Sequence, residues 1–296
     1  MAENNNEEIL LLKKEVNYAV KLLTNGQINE ALKIVEALIK KSPNVPLLYN
    51  IRGVCYQTIR ELGNAIDDFS QATILKSDYA EAYCNLGVTY QEKGDLVSAV
   101  NAYKNAIDND NNYPTAHNNL GKIFLASGEI DSSIEHLECA ITLKSDFADA
   151  HNNLGSAFLR INKLNDAIKS YKKAIALKPD FAVANNNLGI AYLRTGDPKL
   201  ASKFFENAIT ITPGYATAHH NLSGVKVYKE KDKQVSLIES LLIENNLSQK
   251  ERIYLNFALA KAYEDLGNHD NLNAIDFAKK FNQVINIAKS QKVRAV

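Results

Sequence analysis

Ala82-Tyr83-Cys84-Asn85-Leu86-Gly87 returns 34 residues later as Ala116-His117-Asn118-Asn119-Leu120-Gly121. It returns again as Ala150-His151-Asn152-Asn153-Leu154-Gly155 and as Ala184-Asn185-Asn186-Asn187-Leu188-Gly189. A fifth copy, Ala218-His219-His220-Asn221-Leu222-Ser223, begins to decay. A fixed period of this size is the mark of a solenoid. No single unit can bury its own apolar face, so neighbours stack into one continuous core. Such stacks offer a long concave surface, and that surface ordinarily holds other polypeptides.

Each unit reads as two helices and a short turn. In the unit that starts at Ala80, apolar residues fall at Tyr83, Leu86, Tyr90, Leu96, Ala99, Tyr103, Ala106 and Ile107. Those gaps are the period of an amphipathic helix. Gly94-Asp95 breaks the pattern between the helices, and Gly26, Gly128 and Gly196 take the matching turn elsewhere. Asn162 replaces glycine there in one unit; Asn tolerates the left-handed conformation that a helix end often needs. Pro43, Pro179 and Pro213 close three units, where a helix must stop. Gly53, Gly87, Gly121, Gly155 and Gly189 lie inside first helices, where glycine costs about 1 kcal/mol relative to alanine. Their placement predicts a second helix too close for a side chain, with Ala65, Ala99, Ala167 and Ala201 as its small face.

Leu86-Gly87-x-x-Tyr90 with Ala99 and Tyr103 resembles the signature of the tetratricopeptide repeat, and Leu120-Gly121-x-x-Phe124, Leu154-Gly155-x-x-Phe158 and Leu188-Gly189-x-x-Tyr192 repeat it in register. The resemblance implies an all-α, right-handed superhelical solenoid of helix-turn-helix units with a helical C-terminal cap. Full units are expected at 12–45, 46–79, 80–113, 114–147, 148–181 and 182–215, and a partial one at 216–228. Residues 1–11 read as a polar extension and 229–296 as a divergent helical cap. The first unit keeps Ala19, Gly26, Ala31 and Pro43 but lacks the signature Leu and aromatic residues; the seventh fails at Lys226, where a buried aromatic is expected.

Beyond Lys229, Gln234–Glu244 has an amphipathic spacing, through Val235, Leu237, Ile238, Leu241 and Leu242. Ser248 with Glu251 forms a capping box for a helix through Ile253, Phe257, Ala260 and Tyr263 that ends near Gly267. A last helix is expected through Ile275, Ala278, Phe281, Ile285 and Ala288. The stretch from Ser248 and Arg252 to Leu266-Gly267 resembles the segment after the repeats in bacterial tetratricopeptide–sulfotransferase fusion proteins. That resemblance implies a fragment of such an enzyme, or a relative without its sulfotransferase domain, since no Gly-rich loop for a sulfate donor is found in the sequence.

Composition bounds the function. Lys plus Arg equals Asp plus Glu at 34 each, so no net charge points to nucleic acid or an anionic membrane. No apolar run approaches the roughly 18 residues of a membrane span, and the N-terminal segment Met1–Glu8 is polar and acidic, unlike a secretory signal. Cys55, Cys84 and Cys139 form no CxxC and leave an odd thiol, which fits a reducing, cytoplasmic setting. HExxH, GxSxG and phosphate-loop motifs do not occur, and no catalytic residue, cofactor or metal is expected. Asp108-x-Asp110-x-Asn112 lacks the Gly and the terminal Glu of a calcium loop. His117, His151 and His219 share one place in their units, with Asn185 between; they are expected to pack, because side chains a repeat apart do not converge on one metal.

Asparagine carries the functional signal. Asn17, Asn85, Asn119, Asn153, Asn187 and Asn221 hold the sixth place of their units, and Ile51 alone interrupts. Asn in mid-helix costs propensity, so a compensating bond is expected. Two readings stay open: a brace across the stack, or a ladder contacting the backbone of an extended peptide. The pattern resembles the asparagine ladder of O-linked N-acetylglucosamine transferases. Asn118, Asn152 and Asn186 precede ladder places, Leu125, Leu159 and Leu193 recur one turn on, and Lys122, Arg160 and Arg194 add positive charge. The basic residues of a chaperone-tail clamp are missing at the ladder places. The expected function is a non-catalytic scaffold that binds a protein or peptide, with no nucleic acid and no membrane. Two alternatives remain: the substrate-recruiting region of a sulfotransferase or glycosyltransferase, and an assembly protein that self-associates through Ile9–Leu23. Monomer and oligomer are both left open.

Overall fold

The structure is a computed structural model that describes the backbone of residues 2–243 and 246–267, and side chains from residue 10. Among the described residues all regular structure is helical, in packed antiparallel pairs. Contacts divide the chain into two compact units, 1–145 and 146–296.

The first compact unit holds four hairpins: α1 (Ala2–Thr24) with α2 (Ile28–Lys41), α3 (Pro46–Thr58) with α4 (Leu62–Leu75), α5 (Ala80–Lys93) with α6 (Leu96–Asn109), and α7 (Pro114–Ser127) with α8 (Ile130–Leu143). The second holds α9 (Ala148–Arg160) with α10 (Leu164–Leu177), α11 (Ala182–Arg194) with α12 (Pro198–Ile211), then α13 (Ala216–Ser223), α14 (Lys233–Ile243) and α15 (Gln249–Asp265). The helix α1 reaches back to Ala2. The polar extension expected at 1–11 is therefore largely continuous with the first helix, as its lack of Gly and Pro permits.

The mid-helix glycines have a sharper cause than a small facing residue. A Cβ on Gly53 would stand 2.7 Å from the Phe69 ring, and one on Gly87 or Gly155 would stand 2.7 Å from Tyr103 or Tyr171. At Gly189 the same atom would lie 2.5 Å from Phe205. Each large side chain lies sixteen residues after its glycine and is fully buried. Ala65, Ala99, Ala167 and Ala201 are also fully buried one turn away, but the ring fills the space that glycine leaves open. In the fourth hairpin Leu137 replaces the ring, 2.6 Å from a Cβ built on Gly121. Ser133 stands where the others have alanine, and its hydroxyl donates to the Gly121 carbonyl at 2.7 Å.

The inter-helix turns need a left-handed residue. Gly94 and Gly128 supply it at φ 86° and 88°. Asn162 adopts φ 59°, as its residue type suggests, and Arg60 adopts φ 66° at the equivalent place. Left-handed backbone costs a residue with a Cβ roughly 1–2 kcal/mol. In the same hairpin Arg52 takes the signature Leu place. Its guanidinium donates twice to the Asp68 carboxylate, each time at 2.7 Å, which holds its pKa above the ordinary value.

After α13 the repeat geometry changes. Lys226 cannot fill the buried aromatic place; it pairs with Asp232 instead. Tyr228 is buried two residues on and donates to Gln234 at 2.9 Å. The helix packed on α13 is α15. Ala216, Val235, Ile238, Leu255, Ala258 and Tyr263 join in one core. Ser248 and Glu251 make both bonds of the capping box at the start of α15. The helix expected over Ile275–Ala288 lies outside the described residues.

Gly155→Ala should lower stability by about 1–2 kcal/mol, because overpacking against Tyr171 outweighs the helix-propensity gain; urea denaturation followed by circular dichroism measures this. Arg60→Gly should raise stability by about 0.5–1 kcal/mol by releasing the left-handed strain, less the greater freedom of glycine in the unfolded chain. A lower urea midpoint would show that the exposed Arg60–Glu92 pair matters more than the strain.

Candidate peptide-binding face

Asn17 is exposed, whereas the other ladder asparagines are half-buried, and their bonds define the face that they line. Asn85 Nδ2 donates to Asn50 Oδ1 at 3.0 Å, Asn187 Nδ2 to Asn152 Oδ1 at 3.0 Å, and Asn221 Nδ2 to Asn186 Oδ1 at 2.8 Å. In these three bonds the sixth place of one first helix donates to the fifth place of the first helix before it. That bond is the compensation expected for Asn in mid-helix. In Asn85, Asn187 and Asn221 it uses one amide N–H of the two that the side chain carries.

The rule has an exception with a clear cause. Asn119 would donate to residue 84, which is Cys84 rather than Asn. Its Nδ2 turns to the Tyr103 hydroxyl at 3.2 Å, and that hydroxyl donates on to Gln91 at 3.1 Å. Asn118 Nδ2 donates to Asn119 Oδ1 at 3.2 Å. Asn50, which the sequence pattern did not single out, joins the network; its Nδ2 donates to Glu81 at 3.2 Å. The missing signal was its place, shared with Asn118, Asn152 and Asn186.

Of the residues expected on the groove surface, Asn186 is 2% exposed, and Asn118 and Asn152 are 6% exposed. They sit beneath the ladder, with Asn152 and Asn186 as its acceptors, because the fifth place faces the seam between hairpins. Asn85, Asn119, Asn153, Asn187 and Asn221 are half-buried, as are Leu125 and Leu159. Lys122, Arg160, Leu193 and Arg194 are exposed. Lys122, Leu125 and Asn119 belong to the first compact unit; Asn153, Leu159, Arg160, Asn187, Leu193, Arg194 and Asn221 belong to the second. Within the second, Arg194 Nη1 donates to the Leu159 carbonyl at 2.9 Å. That carbonyl, in the last turn of α9, also accepts from the Asn162 N–H of the following turn at 3.3 Å.

The histidines pack. His117 Nδ1 and His136 Nδ1 are 3.0 Å apart, so one donates and the other accepts. Phe124 stacks on His136. His219 is fully buried, and its Nε2 donates to the Pro213 carbonyl at 2.8 Å. Burial lowers the pKa of His117, His136 and His219, and the neighbouring His136 lowers His117 further. Burial also pushes the Cys55 thiol up to about 11 and Cys84 up to about 12, far from a reactive thiolate. Among the described residues no group of three or more His, Cys, Asp or Glu could hold a metal ion, and no helix is long and apolar enough to cross a membrane.

These hairpins define a class, and the comparisons with known proteins agree on it. The TPR repeat family matches at 61–94, 90–128, 121–162 and 157–196, and the tetratricopeptide repeat family matches again at 182–215. The matches run without a gap from 61 to 215, and the chain belongs to the tetratricopeptide-repeat proteins. The C-terminal part of a TPR repeat-containing protein from Cytophaga hutchinsonii is similar at 23% identity and a TM-score of 0.56, over 81% of this chain and 99% of that one. MamA is similar at 27% identity and a TM-score of 0.50, over 55% and 96%. YrrB, described as a TPR protein with an unusual peptide-binding site, is similar at 20% identity and a TM-score of 0.52, over 63% and 96%. No curated protein matches the sequence. Proteins of this family are mostly non-catalytic scaffolds that bind protein or peptide partners. The family matches end at residue 215 and lend no support to a sulfotransferase-type segment at 248–267.

The buried histidines set a pH dependence. Their folded pKa lies below the ordinary 6.5, so below that pH the unfolded chain binds protons that the folded chain refuses, and stability falls as pH falls. Urea midpoints should drop between pH 7.5 and 5.5, and His136→Phe should flatten the drop. An unchanged slope in that variant would mean that the pair does not contribute.

Proposed function

We propose that this chain is a non-catalytic scaffold that binds an extended protein segment along the first-helix face of its second compact unit. The observation that carries the reading is the bonding of Asn187 and Asn221. Each donates one N–H to the preceding helix, which fixes the amide and leaves a donor and an acceptor toward solvent at repeat spacing. An extended backbone presents the same pair of groups at every residue, and a pre-oriented amide loses little side-chain entropy on binding. Exposed Leu193 and half-buried Leu159 supply apolar contact beside it. Arg160 and Arg194 are exposed at the ends of the same two helices and favour acidic side chains on the ligand.

Capture of the partner by the intact chain, identified by mass spectrometry, gives the ligand for the test. Arg160→Ala with Arg194→Ala should weaken acidic ligands selectively and reduce the salt dependence of binding. Asn187→Ala should weaken all bound segments alike, by about 0.5–1.5 kcal/mol for each lost bond, since backbone contacts carry no sequence information. The Asn187→Ala chain also loses its bond to Asn152, so circular dichroism and urea midpoints are measured alongside. Unchanged affinity in a folded Asn187→Ala chain would assign the ladder to bracing alone and place the binding face elsewhere.

A further inference from the structure

The first helices α5, α7 and α11 carry a stripe along their third, seventh and tenth places that packs on the hairpin before them. Leu86 joins Ala65 and Phe69 of α4. Leu120 and Ile123 join Ala99 and Tyr103 of α6, and Leu188 joins Ala167 and Tyr171 of α10. In α1 the same three places are Lys14, Tyr18 and Lys21, all exposed. Tyr18 and Leu11, one turn earlier, are each 56% exposed. Leu11, Lys14, Tyr18 and Lys21 are spaced by three and four residues, a single seam along one side of the helix.

We propose that this seam is a self-docking surface, through which two copies of the chain pair by antiparallel contact of their α1 helices. The charge pattern selects the occupant. With a two-fold axis between residues 14 and 15, Leu11 of each copy meets Tyr18 of the other, and Lys14 meets Glu15. Each contact occurs twice, as an isologous interface requires. A parallel pair would instead set Lys14 against Lys14 and Lys21 against Lys21. A further repeat hairpin stacked here would bury those lysines where later units bury Ala82, Ala116 and Ile123, and a buried unpaired charge is costly. The seam therefore ends the array and does not extend it into a filament. The residues of this seam lie in α1, and peptide binding is assigned to the second compact unit, so the test does not depend on the peptide-binding reading.

Sedimentation equilibrium of the full chain over a concentration series tests the proposal. The expected result is a monomer–dimer equilibrium with a limiting mass of twice the monomer. One helix pair buries less than the about 1,200 Å² of a standard interface, so dissociation on dilution is expected, and more of it at high salt. Lys14→Glu should shift the protein to monomer, and Lys14→Glu combined with Glu15→Lys should restore the dimer. These side chains are solvent-facing or half-buried, so circular dichroism should not change. Direction is read by oxidative cross-linking: Leu11→Cys chains mixed with Tyr18→Cys chains should form a mixed disulfide faster than either forms alone. A monomer at every concentration, species larger than a dimer, no rescue in the charge-swapped variant, or like-with-like cross-linking would each overturn the proposal.

Discussion

The contact between a mid-helix glycine and the large side chain sixteen residues later sets the geometry of each full hairpin from the second to the sixth. With Phe69, Tyr103, Tyr171 and Phe205 held against bare backbone, the two helices lie closer than any residue with a Cβ would permit. Ala65, Ala99, Ala167 and Ala201, one turn from those positions in the second helices, are fully buried in the same hairpins. Substitution within the motif keeps the constraint. In the fourth hairpin Leu137 and Ser133 replace the ring and the alanine together, and the Ser133 hydroxyl donates to the Gly121 carbonyl.

Within each compact unit a second device joins neighbouring hairpins. Apolar packing of the seventh place on the preceding second helix supplies the area, and the asparagine brace supplies direction. A carboxamide bonded across the seam permits little rotation of one hairpin against the next, whereas apolar contacts alone tolerate sliding. Cys84 shows what the brace requires. One residue that cannot accept at the fifth place diverts Asn119 onto Tyr103, and the seam there is tied through the second helix.

The first hairpin and the helices after α12 depart from the repeat pattern in different ways. At the C-terminal side the eight-residue α13 is completed by α15, which is brought in over α14 and its capping box. At the N-terminal side lysines occupy the places that would otherwise be apolar.

Periodicity determined much by itself. A 34-residue repeat with helical spacing inside it leaves helical hairpins as the economical solution, and it placed the turns, the Asn162 exception and the Ser248–Glu251 cap, because each depends on residues close in sequence. The ladder was legible as a pattern, but its acceptors were not. Asn186 and Asn152 lie thirty-five residues from the amides that they bind, and only the stacking of helices puts the fifth place in the seam and the sixth toward solvent. The left-handed Arg60, the Arg52–Asp68 pair and the helix chosen to cover α13 were likewise decided by tertiary structure. Each depends on competition between packing and a local preference, and local sequence records only the preference.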